Sequence, residues 1–119
     1  MTINTLAPNR FTRIFEIDGD LDLTTSPDLK VEIDRLLGAG VKNLIINLSL
    51  VKYLDSSSLG VLVSSLKRMQ EMNGNLILVS PTPSVLRILE LTSLTRIFEV
   101  FATNTEAISK TALVYDFSQ

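Results

Sequence analysis

The sequence predicts an α/β domain: a mixed, mostly parallel sheet of about five strands with about four helices. Three observations predict it. Short runs of strand-forming residues alternate with longer stretches whose apolar residues recur at helical spacing. Two of the runs, Leu44-Ile45-Ile46-Asn47-Leu48 and Leu76-Ile77-Leu78-Val79, are almost continuously apolar, as in strands covered on both faces. Gly and Pro stand singly at the boundaries, and no linker, repeat or low-complexity segment divides the 119 residues. A single domain over residues 1–119 is expected.

Phe11 to Ile17 alternates, with Phe11, Arg13, Phe15 and Ile17 on one face and Thr12, Ile14 and Glu16 on the other. This strand is expected to pair with a short one near Ile3 to Leu6 and to stop at Gly19. Ser26-Pro27-Asp28 reads as an N-cap, a proline at the first helical position and a first-turn acid. Leu29, Ile33, Leu36 and Leu37 follow at helical spacing until Gly38 or Gly40. Leu59, Leu62, Val63, Leu66 and Met69 form the stripe of a second helix, read as core, that ends near Asn73-Gly74. Thr82-Pro83 opens a third, carrying Leu86, Leu89 and Glu90. Ile97 to Phe101 is the last strand, and Thr103 with Glu106 makes a capping box for a final helix. The order is β-β-α-β-α-β-α-β-α.

Composition narrows the chemistry. Nearly half the residues are apolar, enough for a core without staples. With no cysteine, disulfides, thiolate zinc sites and cysteine nucleophiles are excluded; with no histidine, serine-histidine triads and the commonest metal ligand go too. A net charge of -2 without runs of like charge suggests neither a nucleic-acid nor a membrane-surface patch. The first residues lack a basic and then apolar leader, and no apolar stretch has the length of a membrane span. A cytoplasmic protein without cofactor or metal is expected, the acids Asp18, Asp20 and Asp22 being spread by alternation.

Leu54-Asp55-Ser56-Ser57-Ser58-Leu59-Gly60 stands where the central strand hands over to the second helix. In open α/β sheets, functional groups gather at such crossings. Gly19-Asp20-Leu21-Asp22 ends an earlier strand, and the two loops could share one sheet edge. Serines at a helix start can cap free backbone N–H groups, with Asp55 as first-turn charge. The same N–H groups and the helix dipole favour an attached phosphate, whose charge of roughly -1.5 to -2 would alter any adjacent interface. Asp55 would repel that phosphate and sharpen the contrast between states. Both readings, helix cap and phosphate acceptor, stay open on this chemistry. No base suited to an enzyme lies nearby.

Three stretches, in order and at matching spacing, resemble the STAS-domain anti-sigma factor antagonists. Gly19-Asp20-Leu21-Asp22 is similar to the family's G-[DE]-[LIV]-D. Leu44 to Leu48 is similar to its [LIV]-[LIV]-[LIV]-[DN]-[LF]. Tyr53 to Leu62 is similar to its [FY]-[LIM]-D-S-[ST]-G-L-[GA]-x-[LI]. Val85 to Leu89 leading into Leu91 to Leu94 is a weaker match. The resemblance implies a STAS-like fold and a partner switch. The unphosphorylated form binds an anti-sigma factor that is also a serine/threonine kinase, which frees a sigma factor. The kinase uses ATP to phosphorylate the antagonist and so releases it, and a PP2C-type phosphatase reverses the change. Carried over, the acceptor is Ser57, with Ser56 and Ser58 as alternates; the partner-binding set is Asp20, Asp22, Leu54, Asp55, Ser56 and Ser58. Ser58 departs from the pattern by standing where the family usually has Gly. Gly60 matches, and is read as a glycine that lets the helix approach its neighbour.

Other classes fit less well. A phospho-receiver would use Asp55 as acceptor, but it needs an acidic pair on its first βα strand and a lysine after the last strand. No lysine lies between Thr95 and Ser109. A hydrolase using Ser57 would have only Lys52 nearby as base, with no oxyanion or phosphate-loop motif. The alternative within the fold is a non-phosphorylated adaptor or scaffold subunit in a sensory or transport complex.

Overall fold

Five strands and four helices follow one another in the expected order: β1 (Thr2–Asn9), β2 (Thr12–Asp18), α1 (Ser26–Gly38), β3 (Asn43–Leu50), α2 (Ser56–Glu71), β4 (Asn75–Val79), α3 (Pro83–Leu91), β5 (Glu99–Phe101) and α4 (Asn104–Asp116). This computed structural model describes residues 1–116, with side chains through Thr111. The remaining residues of the expected 1–119 domain lie outside the described ones. β1 pairs antiparallel with β2; β2–β3, β3–β4 and β4–β5 are parallel.

The strands lie side by side in chain order. Crossovers of one hand therefore put α1, α2 and α3 on the same face. Phe15, Ile17, Leu44, Ile46, Leu48, Leu76 and Leu78 point to that face and pack with Leu29, Ile33, Leu62, Leu66 and Leu89. Their alternate neighbours Ile14, Ile45, Ile77 and Val79 point the other way, toward Ala107 and Ile108 of α4. The period-two split of each strand is thus used on both sides, which is why β3 and β4 read as continuous apolar runs. Among the described residues, no helix is long and apolar enough to cross a membrane.

Several boundaries differ from the sequence reading. β1 is longer than Ile3 to Leu6, because Asn9 pairs with Thr12 past a register shift. The last strand keeps only Glu99–Phe101. Ser93, with φ of 60°, breaks the chain after α3, and Leu94–Arg96 then form a short 3-10 helix that delays the strand. Thr103 does cap α4: its hydroxyl accepts from the Glu106 N–H at 3.2 Å, while Glu106 reaches back to the Ala102 N–H at 3.3 Å.

Candidate functional site

The loops after β2 and β3 are stitched together at the carboxyl edge of the sheet. Gly19 turns the chain with φ of +114°, a conformation that side chains resist, and its N–H donates to Leu50 O. The Leu21 N–H then donates to Tyr53 O at 3.0 Å, and the Asp55 N–H to Leu21 O at 3.1 Å. These two bonds make an isolated parallel bridge between Leu21 and Leu54. Both leucine side chains enter the core, so extended backbone sends their neighbours Asp20, Asp22, Tyr53 and Asp55 away from it. The two motifs that were far apart in sequence share one edge.

Asp55 is the N-cap of α2. Its Oδ1 accepts from the Ser58 N–H at 3.1 Å and from the Ser57 hydroxyl at 2.6 Å. The expectation that the serines cap the helix is therefore corrected: the carboxylate caps, and the serines fill the first turn. Ser56 is exposed and Ser57 half-buried. The Ser26 hydroxyl of α1 meets Ser57 Oγ at 3.3 Å.

Ser26 was expected to cap α1, but it lies inside the helix and Thr25 precedes it without a side-chain cap bond. Asp22 closes the loop instead, its Oδ1 accepting from the Thr24 N–H at 2.9 Å, the Thr24 hydroxyl at 2.6 Å and the Thr25 N–H at 3.1 Å. Asp22 thus works first as a turn residue. Asp20 is exposed.

Burial bears on two further expectations, and open space on a third. Leu54, placed in the partner-binding set, is 2% exposed, and Ser58 is fully buried. Neither side chain is on the surface of this structure. Gly60 does not ease close packing, because a Cβ there would meet nothing within 4 Å. Its bare surface lies one helical turn from Ser56 and Ser57.

Ser58 Oγ has no hydrogen-bond partner among the described residues. A buried hydroxyl without a partner costs about 1–3 kcal/mol. Ser58→Ala removes it and improves helix propensity. A gain of about 1 kcal/mol in unfolding free energy is expected from urea titration, and a loss of stability would show that the hydroxyl is satisfied.

Asp22, Asp34 and Asp55 all sit below their ordinary value of 3.8. The Thr24 hydroxyl is the largest cause for Asp22. Lys30 and then Arg68 lower Asp34, the latter through an ion pair joining α1 to α2. For Asp55 the Ser57 hydroxyl leads, followed by the Ser58 N–H. A lowered folded value means stability that is whole above 3.8 and is lost as pH falls from there through the lower folded value. Urea midpoints are expected to be flat above that range and to drop below it, more shallowly in Asp55→Asn. A profile for Asp55→Asn that parallels the unaltered chain would remove Asp55 from the account.

A model of the STAS domain matches residues 3–107. The chain belongs to the STAS domain family. Among its relatives is a provisionally assigned anti-sigma factor antagonist of Thermotoga maritima, 40% identical over 77 residues, spanning 65% of this STAS chain and 68% of that protein. The anti-sigma-B factor antagonist of Staphylococcus aureus is 27% identical over 100 residues, spanning 84% and 92%. The unphosphorylated form of the anti-sigma factor antagonist SpoIIAA superposes with a TM-score of 0.84 at 22% identity, over 93% of this chain and 96% of that one. This last likeness speaks to the fold alone.

Sequence reasoning missed three exposed apolar side chains at this edge of the STAS domain: Leu23 and Tyr53 on the two loops and Leu50 at the end of β3, at 74%, 51% and 57% exposure. Alternation would have buried Leu23 with Leu21. The turn closed by Asp22 rotates it outward, and nothing in the sequence pattern marks that rotation. Ser26 was missed as a site residue because it was read as a cap.

Proposed function

We propose that this STAS domain is a cytoplasmic anti-sigma factor antagonist that does no chemistry of its own. Its unphosphorylated form binds an anti-sigma factor with serine kinase activity and so frees a sigma factor. Phosphorylation of Ser57 releases it, and a PP2C-type phosphatase restores it. The names of the two relatives support the antagonist role. The observation that carries the site is Ser57 itself: a half-buried hydroxyl at a helix start, on the edge where both motif loops meet, with an ionised carboxylate 2.6 Å away.

The surroundings fit a surface that is bound and then modified. Asp20, Leu23, Tyr53 and Ser56 offer exposed polar and apolar contacts on the joined loops. Gly60 leaves room beside Ser57 for an incoming active site. Ser58 departs from the family's glycine, yet its side chain points inward and does not obstruct Ser57. A phosphate would face the helix start but also Asp55, so the edge changes from a neutral hydroxyl to concentrated negative charge.

Phosphopeptide mass spectrometry on the protein from its native cells, resting and stressed, tests this reading. Phosphate on Ser57 that varies with condition is expected. Phosphate only on Ser56 would move the acceptor by one residue. None under any condition would favour the adaptor or scaffold alternative.

A further inference from the structure

Ser26 is a buried hydroxyl whose side-chain partner is the proposed acceptor. It opens α1, is 4% exposed, and meets Ser57 across 31 residues of sequence. The direction of these bonds follows from charge. An ionised carboxylate can only accept, so the single Ser57 proton goes to Asp55 and the Ser26 proton must point at a Ser57 lone pair. Two hydroxyls therefore form a chain from α1 through Ser57 to Asp55, each donation polarising the next. A free serine hydroxyl samples several staggered orientations. Held from both sides, Ser57 keeps one. Joining the helices is not the sole task of this contact, since Arg68 and Asp34 already link α2 to α1 further along.

We propose that Ser26 is a positioning residue for Ser57. It fixes the acceptor hydroxyl before transfer and becomes the hydroxyl donor to the phosphoserine afterwards. The proposal rests on Ser57 being the modified residue. Transfer forms a bond from Ser57 Oγ to the terminal phosphorus of a nucleoside triphosphate and breaks that phosphorus's bond to the departing diphosphate. The hydroxyl proton leaves to a base on the kinase. Asp55 then loses the Ser57 donor and, as an anion, cannot bind the new phosphate. Ser26 keeps its proton, already aimed at the oxygen that now carries phosphorus. A donor there favours the dianionic phosphate over the monoanion, so removing it makes the second proton harder to lose.

The test uses the full chain with phosphoserine incorporated at position 57 during translation, and follows the 31P shift through the second phosphate ionisation, near roughly pH 6. Ser26→Ala is expected to raise the apparent pKa of the phosphate by about half a unit. Ser26→Cys, which keeps the volume but weakens the donor, is expected to move it the same way. Ser64→Ala, an exposed serine elsewhere on α2, should leave it in place. The proposal is overturned if neither Ser26 variant shifts the titration, or if Ser64→Ala shifts it equally. Because the phosphate is built in, this result speaks to Ser26 alone, whereas phosphosite mapping in cells speaks to Ser57.

Discussion

On the proposed function, Ser57→Ala is expected to keep the proposed anti-sigma factor kinase bound while abolishing phosphorylation, and Ser57→Asp is expected to weaken binding by at least about tenfold. The two variants share the loss of the Asp55 bond, so their difference isolates charge. Alanine removes one donor at 2.6 Å and leaves the Ser58 N–H to hold the cap. Aspartate cannot donate to Asp55 and adds a second carboxylate beside it, in a loop pair that already holds Asp20 and Asp22. Like charges at this range repel and draw in water, which a partner would have to displace. Calorimetry with the purified kinase, and radiolabelled phosphate transfer, provide the readouts. Label incorporated into Ser57→Ala would place the acceptor on exposed Ser56, since Ser58 is buried. Equal affinity for the Ala and Asp variants would remove charge as the switch.

How the sequence announces this site depends on which physical signal each residue gives. β3 and β4 were legible because burial on both faces leaves only apolar residues in the run. The pairing of the two motif loops was foreseeable from topology, since β2 and β3 are parallel neighbours whose carboxyl ends must lie together. Capping was not legible in detail. Asp and Ser compete for the same backbone N–H groups, and composition cannot say which wins. At α2 the carboxylate reached back to Ser58, and at α1 Asp22 took the upstream N–H groups, leaving Ser26 free to turn toward Ser57. The inward side chain of Ser58 and the open space at Gly60 were equally hidden. Both depend on the phase of the helix against the sheet, which packing sets, not local spacing.

The helix that carries Ser57 is also tied to the sheet at its far end. There the Gly74 N–H donates to Met69 O at 2.7 Å, the Asn75 N–H donates to Lys42 O at 2.9 Å, and the Lys42 ammonium donates to Met72 O at 2.8 Å. Gly74 permits this stitching by lacking a side chain: a Cβ on it would lie 2.0 Å from Lys42 O and 2.9 Å from the Lys42 carbonyl carbon. Backbone, unlike a flexible side chain, cannot swing aside. Gly74→Ala must therefore part the α2–β4 turn from the start of β3, straining or breaking the Asn75 bond that begins their pairing. A loss of about 3 kcal/mol is expected, at the upper end for overpacking, from a domain whose total stability is about 5–15 kcal/mol. Urea titration monitored by circular dichroism reads it directly. A loss below about 0.5 kcal/mol, as at an ordinary surface position, would mean that the turn yields and that α2 is held from its other contacts. If the loss is as large as expected, a contact at the far end of Ser57's helix contributes a large share of the stability of the domain that presents it.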